Sequence, residues 1–305
     1  MSTCTTLSRE LIEPMSGTAA TGATWLLLEQ PGPWGARALT HSHLDPAIGR
    51  ALEARAEGTG LRIALIRRPG RHADAPPTPS RQVYLAHTGP GRSWVRETVL
   101  DDPAELLGLD FTGPAAGGHG GLWREYTGEP LAMVCTNGRR DRCCALLGRP
   151  LAAELAASGH AQVWEVTHLG GHRFSPTMLV LPYGYAYGRM SAHTAKEILE
   201  ATRDGRMVPE WCRGRSFWDR PGQAAELAVR AGIGETSADA LTVDQAACGE
   251  DAWSVTVTHT DGRSWTVEVR RSAAEPARSE SCLKLPTNPD RYDVRTDGLF
   301  VQPTK

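Results

Sequence analysis

The chain has 305 residues, a hydrophobic fraction of 40%, and 33 basic against 35 acidic side chains, which gives a formal net charge of -2. This balance provides no long-range attraction to nucleic acid or to an anionic membrane, so we expect neither as a partner. No apolar run approaches the ~20 residues that a membrane helix needs. The seven cysteines are an odd number, and no secretory signal follows Met1, so we expect a cytoplasmic protein and not a disulfide scaffold.

The N-terminal half alternates apolar runs with helix-start signals. Asp45-Pro46 and Asp102-Pro103 each place a capping side chain before a proline, which is the pattern that begins a helix. Short runs rich in Leu, Ile, Val and Trp are typical of strands. Such runs predict strands at residues 24–29, 61–66, 82–87 and 94–100.

The middle of the chain repeats this order after a Gly-rich linker at 112–121. Asp141 is a suitable N-cap for a helix over 142–158, which Gly159 would end and Pro150 would kink or interrupt. The order strand–helix–strand–strand–strand–helix is therefore predicted twice. The second set comprises strands at 131–135, 162–168, 177–181 and 185–190 and helices at 142–158 and 192–203.

The C-terminal part has a different character. An apolar face predicts a helix over 221–231, and residues 254–259 and 264–270 alternate with period two. Asp261-Gly262 lies between these two runs and is a strong hairpin signal. These features predict a small α+β region.

Potential metal ligands concentrate between Cys135 and His172, within Cys135-Thr-Asn-Gly-Arg-Arg-Asp-Arg-Cys143-Cys144 and His168-Leu-Gly-Gly-His172. Two glycines between the histidines favour a loop, because each disfavours a helix interior by roughly 1 kcal/mol. This argues against a helical zinc-protease motif, which also needs Glu where Leu169 follows His168. Two sulfurs and two imidazoles suit zinc or an iron–sulfur cluster. The gap from Cys135 to Cys144 is longer than that of a zinc knuckle and suits a two-iron cluster.

The pattern Cys-x8-Cys followed by His-x-Gly-Gly-His resembles the sucrase/ferredoxin-like family. The segment from Cys135 to Asp141 and the segment Leu-Val-Leu-Pro-Tyr-Gly-Tyr-Ala-Tyr-Gly-Arg, which ends at Arg189, are also similar to that family. The resemblance implies a [2Fe–2S] cluster in a thioredoxin-like ferredoxin domain. By the same resemblance its ligands are Cys135, Cys144, His168 and His172, with Cys143 as the alternative to Cys144.

We therefore predict an α/β (α+β) protein with three regions. Residues 1–125 would form a thioredoxin-like α/β region that has no ligands, because it lacks cysteine between Thr24 and Phe111. Residues 126–206 would form the ferredoxin domain, and residues 207–305 a small α+β region.

The expected function is one-electron transfer or redox sensing with an unidentified redox partner protein, and we favour this over catalysis on a substrate of its own. Reduction adds negative charge, so we also expect proton coupling at His168 or His172. Two other functions remain open. One is a zinc-stabilised structural module. The other is a thiol–disulfide oxidoreductase with Cys143 or Cys144 as nucleophile, although the Cys-x-x-Cys spacing is missing. The other cysteines, Cys4, Cys212, Cys248 and Cys282, are expected to be small buried apolar residues.

Overall fold

The computed structural model describes residues 3–70, 79–159, 162–282 and 284–296. The α-helices are α1 (Cys4–Glu10), α2 (Pro46–Ala56), α3 (Thr112–Ala115), α4 (Arg142–Ser158), α5 (Ala192–Arg203) and α6 (Arg220–Ile233). Short 3₁₀ helices lie at Pro103–Gly108 and His172–Phe174. In the part of the chain that the structure describes, none of the helices is both long and apolar enough to cross a membrane.

Most of the strands form a single mixed sheet of ten. They are β1 (Thr24–Glu29), β2 (Leu61–Arg67), β3 (Arg81–His87), β4 (Trp94–Leu100), β5 (Arg124–Glu125), β6 (Leu131–Cys135), β7 (Gln162–Val166), β8 (Thr177–Leu181), β9 (Tyr185–Gly188) and β10 (Cys212–Arg215). Their order is β10-β9-β8-β6-β7-β2-β1-β3-β4-β5. The predicted mixed α/β class is therefore confirmed.

The sheet contains the same four-strand pattern twice. In the first copy β1 pairs in parallel with β2 and antiparallel with β3, which pairs antiparallel with β4. In the second copy β6, β7, β8 and β9 take the same places. Leu26 and Leu28 pack in the core beside α2, as Ala132 and Val134 pack in the core beside α4. Leu27 and Cys135 belong to a third core, which both copies share.

The two copies join edge to edge where β2 pairs antiparallel with β7. Arg67 and Glu165 form an ion pair there at 2.7 Å, and both side chains are buried. Thr136 also donates to Glu165 at 2.8 Å. The sheet therefore continues across the predicted boundary at residue 125, and the division of the chain into three regions stays a prediction.

A second sheet lies in the C-terminal region. It orders β11 (Leu241–Ala247), β12 (Ala252–His259), β13 (Ser264–Ala273) and β14 (Asp290–Arg295) as an antiparallel meander. One apolar core joins α6 to this sheet, with Ala225 and Val229 facing Val255 and Val267. The predicted hairpin is confirmed, since β12 pairs antiparallel with β13, and Gly262 adopts φ +94° at the turn between them.

Three local predictions differ from the structure, at Pro150 and at the ends of β7 and β9; β9 ends at Gly188 and not at residue 190. Helix α4 ends at Gly159 as predicted, but it continues through Pro150 without interruption. A single missing N–H costs about 3 kcal/mol in a helix interior, and the buried residues on this helix, including Leu151 and Leu155, offset that cost. Strand β7 ends at Val166, earlier than predicted, because the chain turns towards the glycines of the histidine loop.

Candidate metal centre

The two cysteines of the predicted set come from the end of a strand and the start of the following helix. Cys135 is the last residue of β6 and Cys144 lies in the first turn of α4, and both are buried. Asp141 caps this helix by accepting a hydrogen bond from the backbone N–H of Cys143 at 2.9 Å. Gly148 lets α4 approach the strand, because a side chain there would overlap the carbonyl of Cys135.

The histidine loop is held in shape by its glycines and by a buried arginine. Gly170 and Gly171 have φ of +71° and +68°, a region that favours glycine. Arg213 lies against Gly171 and donates to the carbonyl of Gly170 at 3.1 Å and to that of Thr18. The turn places the rings of His168 and His172 face to face, with centroids 4.7 Å apart.

The structure brings together all four residues of the predicted set, which we call the ligand quartet: Cys135, Cys144, His168 and His172. Cys144 Sγ lies 3.2 Å from His172 Nδ1. Cys135 contacts the thiol of Cys144 and the imidazole of His168. The two sulfurs therefore form one pair and the two imidazoles another, and each sulfur contacts one imidazole.

The surroundings of the quartet suit metal ligands. A hydrogen bond with Cys144, helped by His168 and by the backbone N–H of Leu169, lowers the pKa of Cys135 well below that of a free thiol. The same contact, together with burial, raises the pKa of Cys144, so the pair favours one thiolate. Burial and the neighbouring His168 lower the pKa of His172 to about 4, which keeps its imidazole neutral, as metal ligation requires.

One buried nitrogen of the quartet has no partner. Among the described residues, His168 Nδ1 has no hydrogen-bond partner although it is shielded from water. Such an orphaned group costs about 1–3 kcal/mol in an ordinary core. A metal ligand bond at this atom would remove that cost, so the donor set fits a bound metal or cluster.

The sequence predicted the carboxylate of Asp141 only as a helix cap. The structure also places it among possible metal ligands. Ligand atoms of Asp141, Cys144 and His172 lie within 4.8 Å of one another, so this group could hold a metal ion. Cys135 and His168 stand outside this close group. No local spacing in the sequence pointed to Asp141 as a ligand, because its capping role already accounts for it.

The adjacent cysteines face different neighbours. Cys144 faces His172 of the ligand quartet. The Sγ of Cys143 lies instead 3.6 Å from that of Cys4 and 3.0 Å from that of Cys282. Of the two candidates, Cys144 is thus the one beside Cys135. We call Cys4, Cys143 and Cys282 the three-cysteine cluster.

The prediction that the other cysteines are small buried residues holds only in part. Cys4 and Cys212 are buried, but Cys282 is half-buried and Cys248 is exposed. Cys248 follows strand β11, whose last four residues face solvent, so burial is not available to it. Cys4 and Cys282 also contact each other's sulfur at 3.4 Å, which a merely apolar role does not require.

Comparison with known proteins identifies the family of the chain. A family model described as Sucrase/ferredoxin-like matches residues 15–214, more than half of the chain. No curated protein and no solved structure matches the chain significantly. The matched range contains the whole ligand quartet and leaves out Cys4 and Cys282. The chain therefore belongs to the sucrase/ferredoxin-like family.

Proposed function

We propose that this protein is an electron-transfer or redox-sensing protein that carries one [2Fe–2S] cluster on the ligand quartet. The observation that supports this most is the contact of two buried thiols with each other and with two stacked imidazoles. When bound, such a cluster supplies a centre that accepts and donates one electron. The chain's own residues then hold the centre, exclude water from it and set its charge.

The distances between the donor atoms of the quartet favour a cluster over a single zinc ion. Donor atoms around one tetrahedral zinc lie about 3.3–3.8 Å apart, given bonds of 2.0–2.3 Å. In this site the mutually close group is Asp141, Cys144 and His172, while Cys135 and His168 lie outside it. A sulfur pair and an imidazole pair suit two irons, each with its own pair of protein ligands.

Neighbouring groups would stabilise the thiolates and fix the imidazoles. The backbone N–H of Leu169 donates to Cys135, and the hydroxyl of Ser175 lies 3.6 Å from the sulfur of Cys144. Hydrogen bonds to ligand sulfurs favour the reduced state, because they offset added negative charge. Arg213 holds the carbonyl of Gly170 and thereby the turn that orients both rings.

Proton coupling belongs to the same proposal. His172 presents Nδ1 to Cys144, so its Nε2 is the atom left to exchange a proton with solvent. Replacing this imidazole by a thiolate makes the site more negative and removes one exchangeable nitrogen. His172→Cys should therefore lower the reduction potential and weaken its dependence on pH, while the protein keeps its colour. A wild-type potential that stays constant from acid to alkaline pH would contradict the coupling.

The first experiment is a visible spectrum of anaerobically purified protein with iron, sulfide and zinc analysis. We expect a red-brown protein with about two irons and two sulfides per chain. Cys144→Ser should remove the iron, whereas Cys143→Ala and the exposed control Cys248→Ser should keep it. A colourless protein that also fails cluster reconstitution would overturn the proposal. Activity in a disulfide-reduction assay that depends on Cys143 or Cys144 would instead favour the oxidoreductase.

The redox partner is proposed to present acidic groups. Arg139, Arg140 and Arg142 are exposed on the loop and first helical turn between the two ligand cysteines. Such a basic rim attracts an anionic partner and loses this attraction as salt increases. The double variant Arg139→Glu/Arg140→Glu should slow reduction by anionic dithionite and accelerate reduction by a cationic viologen radical. Equal changes with both reductants would contradict a charge effect.

A further inference from the structure

A second group of metal-binding side chains lies beside the ligand quartet and is not part of it. It consists of the three-cysteine cluster and Asp141, whose ligand atoms all lie within 4.8 Å of one another. The three Sγ–Sγ distances are 3.0, 3.4 and 3.6 Å, and the Sγ of Cys4 lies 3.9 and 4.0 Å from the two carboxylate oxygens. Cys4, Cys143 and Asp141 are buried, and Cys282 is half-buried.

These distances are close to the edges of one coordination tetrahedron. Zinc–sulfur bonds of about 2.3 Å and tetrahedral angles place two sulfurs about 3.8 Å apart, and a sulfur and an oxygen about 3.6 Å apart. Three thiolates and one carboxylate are ligands that zinc accepts. The donors also come from three separate parts of the fold, so the group does not follow from the spacing within one loop.

Asp141 keeps room for a metal. Its carboxylate accepts hydrogen bonds from the N–H of Cys143 at 2.9 Å, the N–H of Cys282 at 2.9 Å and the hydroxyl of Ser281 at 2.8 Å. A carboxylate offers about four acceptor positions, so one remains. The same bonds orient the carboxylate towards the sulfurs, as the outer contacts of a metal ligand usually do.

We propose that Cys4, Cys143, Cys282 and Asp141 bind one structural zinc ion, at a site separate from the ligand quartet. Binding exchanges three thiol protons, released to solvent, for three zinc–sulfur bonds, and no electron is transferred. The adjacent residues Cys143 and Cys144 thus serve two different centres. This inference does not depend on the identity of the metal or cluster at the quartet.

The proposed zinc site would join α1 and a C-terminal segment to the start of α4, beside the histidine loop. Cys4 begins α1 and Cys282 lies in the segment between β13 and β14, both outside the family-matched range 15–214. The hydroxyl of Thr5 donates to the carbonyl of His172 at 3.2 Å. Zinc would fasten α1 and the C-terminal segment over the start of α4, where they cover the metal centre.

A buried ion-pair network supports the same junction. Glu13 pairs with Arg173 at 2.8 Å and with Arg278 at 2.9 Å, and these side chains are buried. Arg173 directly follows His172, and it also pairs with Glu280 at 2.6 Å. These bonds place the C-terminal segment beside the histidine loop independently of any metal, so the cysteines are already close to one another before zinc binds.

A disulfide is the main alternative chemistry for these sulfurs. Cys143 and Cys282 lie 3.0 Å apart, longer than the ~2.05 Å of a disulfide bond, and all described cysteines are free. A disulfide between two of them would leave the third sulfur and the carboxylate without a role. Zinc uses all four groups, so we favour it.

The test measures zinc and iron together in the full chain, purified anaerobically after expression with zinc supplied. We expect about one zinc per chain in the wild-type protein. Cys4→Ser and Cys282→Ser should each lower the zinc content at least fivefold and leave iron and visible colour in place. Cys144→Ser should remove the iron and keep the zinc. Cys248→Ser, the matched cysteine control, should change neither metal.

Cobalt gives an independent readout at the same site. Co²⁺ added to protein stripped of zinc should produce intense sulfur-to-cobalt absorption in the near ultraviolet, and Cys282→Ser should remove most of it.

Three results would overturn the zinc site: less than about 0.2 zinc per chain in the wild-type protein, zinc that persists in Cys282→Ser, or a wild-type mass lower by two hydrogens, which would indicate a disulfide. A wild-type protein that holds zinc but no iron, even after cluster reconstitution, would instead count against the [2Fe–2S] proposal alone. Far-UV circular dichroism of each variant separates these results from unfolding.

Discussion

The glycines of the histidine loop allow a matched pair of substitutions, Gly171→Ala and Gly170→Ala. Both residues have positive φ, so alanine costs about 1–2 kcal/mol at either position. At Gly171 the new methyl group would also overlap the guanidinium of Arg213, whereas around Gly170 the described chain leaves open space. Arg213 is buried and donates to the carbonyls of Gly170 and Thr18.

Moving Arg213 would break hydrogen bonds from a charged group, which are worth about 1.5–3 kcal/mol each. Gly171→Ala should therefore lower the free energy of unfolding by about 3–5 kcal/mol, against about 1–2 kcal/mol for Gly170→Ala. Denaturant titration under anaerobic conditions measures both values, and iron content per chain shows whether the loop still holds its ligands. Equal losses in the two variants would refute the role given to Arg213.

Three further predictions concern buried polar groups. Glu165→Gln should cost about 3–5 kcal/mol in denaturant titration, because Arg67 stays charged and buried. At Glu13, burial opposes ionisation, but hydrogen bonds from its two arginines outweigh it and lower the pKa below 4.5. Its contribution to stability is therefore present above pH 4.5 and lost as the pH falls through the lowered pKa. The free energy of unfolding should fall less steeply with decreasing pH below 4.5 in Glu13→Gln than in the wild-type protein. Tyr185→Phe should cost about 1–2 kcal/mol by the same titration, because the phenol oxygen bonds Glu226 at 2.7 Å.

A control variant tests the reason given for Glu165→Gln. A double variant Arg67→Met/Glu165→Leu should recover most of the stability that Glu165→Gln loses, because no charge is then left unpaired. If the double variant is as unstable as the single one, packing at the β2–β7 junction matters more than the ion pair. If the free energy of unfolding falls as steeply at acid pH in Glu13→Gln as in the wild-type protein, the lowered pKa of the Glu13 carboxyl is contradicted.

The central predictions succeeded where the signal is local. Asp141 and Gly159 mark the ends of α4 by a side-chain cap and a left-handed glycine, both of which act within a few residues. Strands β1 and β6 were evident from short apolar runs. The histidine loop followed from its two glycines, which allow the turn that stacks the rings.

The sequence by itself indicated most elements of the two copies, their repeated order and the concentration of candidate ligands between Cys135 and His172, because these depend on caps, periodicity and spacing within a few dozen residues. The tertiary structure alone decided that β2 and β7 join the two copies, that Cys144 faces His172, and that Cys143 faces Cys4 and Cys282. The sulfurs of Cys4 and Cys282 come from positions 278 residues apart. No local pattern encodes such a contact, since it arises only when buried surfaces and ion pairs bring distant segments together.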